Sequence, residues 1–149
     1  MARNGPLVFA TAAAVLFAVV ADAQPLGGAF RGDLVCEQLK SGGGMLRAPL
    51  EVIVRVSDVI FASPVFGGRI VVGSELGSGT IAPDGKIHLT ANWENGDTAF
   101  VGDYGGTLTA AGGMLSGTET WHYGGASETR NCTAALVRVR TATPPASAQ

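Results

Sequence analysis

From Phe30 to Leu136, alternate residues stay on one face through every tight turn, and that face is apolar almost throughout. A period of two belongs to a β-strand, whose successive side chains point to opposite sides. A chain that keeps this period from turn to turn is constrained to an antiparallel meander with one buried side.

The turns are marked by their own residues. Asp84-Gly85, Asn95-Gly96 and Ala111-Gly112 each separate two β-rich runs. Asp-Gly and Asn-Gly favour type I′ hairpins, because both central residues there need positive φ. Two-residue loops at these sites predict Thr80 opposite Leu89, Leu89 opposite Gly102, Tyr104 opposite Glu119 and Gly102 opposite Trp121. Loops at Ser57-Asp58 and Gly67-Gly68 predict Val54 opposite Phe61 and Phe61 opposite Ser74. The longer glycine loop at 41–44 keeps Cys36 opposite Ala48. Every link preserves the face, whereas a slip of one residue inverts it.

Eight strands are expected, at roughly 29–39, 45–56, 59–66, 69–82, 86–94, 97–109, 113–123 and 127–139. The inward face includes Phe30, Leu34, Val52 and Phe61, then Ile70, Val72 and Leu76, and later Leu89, Trp93, Phe100, Tyr104, Trp121 and Tyr123. His88 and His122 fall on the outward, polar face. Closing eight such strands into an up-and-down β-barrel removes the unpaired edges. A two-sheet β-sandwich is the alternative.

Cys36 on the first strand and Cys132 on the last share the inner face. A barrel makes those strands neighbours, so a disulfide there would fasten the seam. A metal pair or two free thiols are the alternatives, but no further ligands flank either cysteine at metal-site spacing. No metal or cofactor is expected.

The chain opens with an export address. Arg3 precedes an apolar run from Leu7 to Val20, and Ala21-Asp22-Ala23 is an A-x-A cleavage site. Residues 1–23 thus read as a signal peptide, 24–140 as one barrel domain, and 141–149 (TATPPASAQ) as a disordered tail. A periplasmic or secreted protein follows, with no membrane span after cleavage. The apolar run is shorter than the ~20 residues a spanning helix needs. An outer-membrane barrel would carry its apolar residues outside with aromatic girdles at both rims, whereas here the aromatics share the face expected to be buried.

Removing Arg3 and Asp22 leaves nine basic and eleven acidic side chains with no basic patch, which argues against nucleic acid as a partner. On the inner face Glu119 lies beside Trp121, and Glu128 and Arg130 follow on the last strand. A two-residue loop after Tyr123 sets Glu119 opposite Arg130, and a four-residue loop sets Arg130 opposite Trp121. Two readings stand. One is a structural Glu119–Arg130 pair, since a buried charge needs a partner. The other is a ligand site of Trp93, Phe100, Tyr104, Glu119, Trp121, Tyr123 and Arg130, an aromatic wall with a few convergent polar groups. Gly32, Gly102, Gly106 and Gly117 on the same face would leave room for a ligand, for the tryptophans, or for bending of the strands.

No nucleophile elbow, phosphate loop or metal spacing occurs, so no enzymatic activity is expected. Glu119 with Glu128 is the one carboxylate pair that glycoside chemistry could use.

At Gly112-Gly113-Met114-Leu115-Ser116-Gly117-Thr118 the chain resembles the Gly-x-Leu-Thr-Gly-Thr hairpin strand of the avidin family. The similarity covers seven residues and falls on a late strand instead of an early one. It implies an eight-stranded barrel, and no biotin-binding residues are carried over. More broadly the chain resembles small exported β-barrel proteins of proteobacteria that have no assigned activity, a resemblance that implies none here. The expected function is non-enzymatic binding of a small apolar or aromatic ligand inside the barrel. The alternative is an envelope interaction or inhibitor module with a filled barrel, working through a protein partner or self-association at Ile53, Ile60, Phe66 and Val71 on the outer face.

Overall fold

Alternation and turn chemistry together produce eight strands in the computed structural model, which describes residues 26–42 and 45–140. The expected signal peptide at 1–23 and tail at 141–149 lie outside the described residues. The strands are β1 (Gly28–Cys36), β2 (Leu46–Arg55), β3 (Asp58–Gly67), β4 (Ile70–Ile81), β5 (Lys86–Asn95), β6 (Thr98–Leu108), β7 (Gly112–Tyr123) and β8 (Ala126–Arg138). Each pairs antiparallel with the next, and β8 pairs with β1, so the sheet is a closed up-and-down barrel and not a sandwich. Cys36 and Cys132 are direct partners across the β1–β8 seam and form a disulfide.

The inner face is the apolar one. Phe30, Leu34, Val52, Phe61, Leu89 and Leu115 are among the side chains buried within it. They fill the end of the barrel at which β1 begins and β8 ends. The other end carries the β1–β2, β3–β4, β5–β6 and β7–β8 connections and forms an open mouth.

Most turns fall one residue away from their expected centre. The β2–β3 turn is Val56-Ser57, with Val54 opposite Val59, and the β5–β6 turn is Gly96-Asp97, with Leu89 opposite Tyr104. In β6–β7, Tyr104 faces Gly117 and Gly102 faces Glu119. Across β1–β2, Cys36 faces Leu46 and Ala48 faces Leu34. Each of these changes moves the pairing by two residues, which leaves every side chain on its expected face.

β4 is the exception, and it is inverted. From Gly73 to Ile81 the faces are exchanged, so Leu76, expected inside, is 59% exposed while Glu75 is buried; Ile70, which pairs with Gly67 ahead of this stretch, keeps its expected face but is 71% exposed beside the β3–β4 turn, and Val72 is 38% exposed. Two odd steps cause this. Val65 faces Gly73 whereas Phe66 faces Val71, so Val72 is an extra residue in a β-bulge. The bulge turns Gly73 inward beneath Trp93, where a Cβ would stand 2.5 Å from the indole Nε1. The second step is the β4–β5 turn. Gly85 N donates to Ala82 O and Ala82 N to Lys86 O, Gly85 has φ +85°, and Ile81 faces Ile87. Pro83 presets a type I turn and Gly85 adds the left-handed residue that follows it, giving a three-residue loop instead of type I′. Thr80 therefore faces His88, not Leu89. The two odd steps cancel, so β5 to β8 return to the expected face.

The disulfide closes a loop of sequence separation 96. Chain entropy assigns a cross-link of that span about 4.7 kcal/mol. The double variant Cys36→Ala/Cys132→Ala should therefore stay folded but lose most of that amount in urea denaturation. An unchanged midpoint would show that the seam's backbone pairing suffices alone.

Candidate functional site

Two layers of inward side chains lie between the apolar plug and the mouth. The upper layer is one cross-strand row, in which Trp93 faces Phe100, Phe100 faces Trp121 and Trp121 faces Glu128. Its rings stack side by side, with centroids 5.8 Å apart for Trp93–Phe100 and 4.5 Å for Phe100–Trp121. Such stacking suits rings that meet on neighbouring strands.

The lower layer is polar. The two-residue turn Gly124-Gly125 sets Glu119 opposite Arg130. Glu119 Oε2 accepts from Arg130 Nε at 2.8 Å, from Arg130 Nη2 at 2.6 Å and from Trp121 Nε1 at 2.9 Å. Glu119 Oε1 lies 3.2 Å from both the Tyr104 hydroxyl and Cys36 Sγ. The guanidinium also stacks on Trp121, with Cζ 5.1 Å from the ring centroid.

Glu75, brought inside by the inversion of β4, completes this layer. Its Oε1 is 2.7 Å from the Tyr104 hydroxyl. Burial, and then the Glu119 carboxylate, push the Glu75 pKa from 4.5 to about 8. Burial and both carboxyls also hold the Tyr104 phenol far above its ordinary range. The cluster thus has one cation for two carboxyl groups, and a proton on Glu75 balances it. The Tyr104 hydroxyl donates to Glu75 Oε1 and lies 3.2 Å from Glu119 Oε1, so it sits between the two carboxyl groups.

The inner glycines serve packing. A Cβ on Gly102 would meet the Tyr104 ring at 2.5 Å and Glu75 Oε1 at 2.8 Å, and one on Gly117 would meet Asp103 O at 2.0 Å. They admit the tyrosine and let neighbouring strands approach, and they leave no vacant room there.

Of the seven expected ligand-binding residues, Trp121 and Arg130 line a cavity at the mouth. They form one side of this space of about 390 Å³, whose other walls are Leu39, Met45, Leu46, Val65, Phe66 and Gly68. Trp93 and Phe100 back Trp121, and Tyr104 and Glu119 lie beneath it. Tyr123 stands at the rim, where its hydroxyl donates to Glu128 Oε2 at 2.6 Å. Glu128 also accepts from the backbone N–H groups of Lys40 and Ser41, latching the β1–β2 loop. The Tyr123 and Ser41 hydroxyls, followed by those two N–H groups, hold the Glu128 carboxyl down at about 2. Glu128 is thus a latch at the rim while Glu119 is tied to Arg130, an arrangement unlike a facing acid–base pair.

Cys36, Glu119 and Cys132 bring ligand-type atoms within 4.8 Å of one another. The sulfurs are bonded to each other and are not thiolates, so the trio is unsuited to hold an ion in this state. His88 and His122 are exposed, as expected, and His88 Nε2 lies 2.8 Å from Asp103 Oδ1.

No protein-family model matches the chain, and a search of curated proteins returns no significant match.

Two predictions follow from the polar layer. A folded-state pKa raised from 4.5 to about 8 means that the Glu75 contribution to stability is fully present below pH 4.5 and falls as pH rises through that window. The fall is at most about 1.4 kcal/mol per pH unit, and the curve flattens above the folded pKa. Glu75→Gln should remove this slope in urea titrations between those limits, and a slope unchanged by the substitution would rule out Glu75 as its source. Separately, Arg130→Met should cost roughly 3–5 kcal/mol because it strands the Glu119 carboxylate. Glu119→Gln/Arg130→Met should cost less than the two single losses combined, as a double-mutant cycle would show.

Proposed function

We propose that this is an exported, non-enzymatic β-barrel protein that binds a small apolar or aromatic molecule at its mouth. The mouth cavity carries the reading, with apolar side chains in a mixed lining, Trp121 on one side and the Arg130 cation beside it. Small-molecule sites have this composition, and volumes of roughly 300–1,000 Å³ are usual for them. The ligand belongs at the mouth and not deeper, because the layer below is bonded to itself and the plug beneath is packed. The disulfide is compatible with an oxidising compartment, which suits the periplasm or the exterior.

The uncharged dye N-phenylnaphthylamine tests this directly. Saturable binding should quench tryptophan fluorescence and be lost in Leu39→Glu, with the melting temperature of that variant unchanged. Absence of saturable binding by the wild-type chain would refute the reading.

A second reading, an interaction module with a filled barrel, draws on the outer face. Ile60 pairs with Ile53 and Phe66 with Val71, and the inversion of β4 adds Leu76 to the same side. Ile60, Val71 and Leu76 are 43%, 55% and 59% exposed, an apolar surface of the kind that marks contact sites. Sedimentation should then show self-association that Val71→Asp/Leu76→Asp abolishes. A wild-type chain that stays monomeric, and whose pull-down partners the double variant leaves unchanged, would remove the basis for it.

A further inference from the structure

The chemistry of the ligand's polar end is set by the side of Arg130 that the protein leaves unused. Nε and Nη2 both donate to Glu119 Oε2, and one face of the guanidinium covers Trp121. Among the described residues, nothing accepts from Nη1. Every enclosed side-chain nitrogen and oxygen among those residues has a partner. Nη1 is therefore not enclosed, although Arg130 as a whole is only 7% exposed. Arg130 lines the mouth cavity, so that cavity is where Nη1 would open. Two N–H donors, fixed in direction by the Glu119 bonds and the indole, would then stand at a cavity lined in part by apolar side chains.

Building on the mouth as a binding site, we propose that its ligand is a small apolar molecule with an uncharged carbonyl oxygen, which accepts from Arg130 Nη1. The hydrogen bond is charge-assisted on the donor side, which makes it stronger than a neutral one. A carboxylate suits the site less well. The guanidinium charge is already matched by Glu119 at 2.6 Å, and Glu128 adds a second carboxylate at the rim. A ligand carboxylate would be a third around one buried cation, and its desolvation would go uncompensated. Lys40 and Arg69 on the loops of this end are exposed and solvated, so they offset little of that cost. A ligand cation would face Arg130 itself. A cavity of about 390 Å³ sets the size at the small end of ligand sites.

Three eight-carbon compounds separate the possibilities, namely 2-octanone, octanoate and octane, titrated at neutral pH with tryptophan fluorescence and calorimetry. The ketone should bind about tenfold or more tightly than either of the others, the gain expected of a hydrogen bond to a charged donor. Its carbonyl stretch should move to lower frequency on binding, and Leu39→Glu should abolish both signals. Equal binding of octane and 2-octanone, or an unshifted carbonyl band, would show that Nη1 plays no part and would overturn the proposal while leaving the mouth site in place. Tighter binding of octanoate would overturn the requirement for an uncharged head. If neither these compounds nor N-phenylnaphthylamine binds, the mouth is not a ligand site and the reading beneath the proposal fails with it.

Discussion

The bonded carboxylate of Glu119 is the constraint around which the upper half of the barrel is arranged. An ionised group with no solvent access is costly unless its lone pairs are filled. Here they are filled from three strands, by Tyr104 on β6, Trp121 on β7 and Arg130 on β8, with the β1–β8 disulfide against the same oxygen as Tyr104. Each partner is held by something else in turn. Trp121 is stacked by Phe100, Arg130 is spread over Trp121, and Tyr104 is shared with Glu75. Removing Glu119 would therefore disturb the aromatic row and the seam together, and not only one ion pair.

The fold was legible because parity survives errors of turn position. Moving a two-residue turn by one residue moves the pairing by two, and two is the repeat of the strand. The turns at Ser57-Asp58 and Asn95-Gly96 could thus be misplaced while Phe61, Leu89, Phe100 and Trp121 still pointed inward. Only an odd step breaks the rule, and two occur, one near the start of β4 and one at the turn that follows it. The second left a trace, since Pro83 favours a type I turn and so competes with the Asp-Gly signal for type I′. The first left little trace, because a bulge at Val72 arises from how Gly73 fits beneath Trp93, a contact between strands that no local run of residues encodes.

Glu75 was missed for the same reason. On the even face of β4, Ile70, Val72 and Leu76 supply the hydrophobic pattern expected of a core, and Glu75 then falls among exposed polar residues. A contrary pattern was present in Ser74, Ser78 and Thr80, which form a polar outward row, with Ile81 on the opposite face. The cavity walls were less legible still. Leu39 and Met45 belong to a loop whose path depends on Glu128 accepting from the backbone of Lys40 and Ser41, a long-range bond with no local signal.

The layering also explains why a binding function and a filled barrel are not opposed. Leu34, Phe61, Leu89 and Leu115 pack the closed end, and such a plug costs too much to vacate for a ligand. The polar layer above it is held by hydrogen bonds among its own members, which favours a fixed arrangement. Those bonds have a consequence at the mouth, where the indole of Trp121 and the outward edge of Arg130 are held in place before any ligand arrives. Less ordering is then needed on binding, and this preorganisation raises affinity for a small molecule that offers few contacts. The buried charges of this barrel thus form the foundation of the mouth, and the ligand proposed above would meet only the edge of Arg130 that Glu119 leaves free.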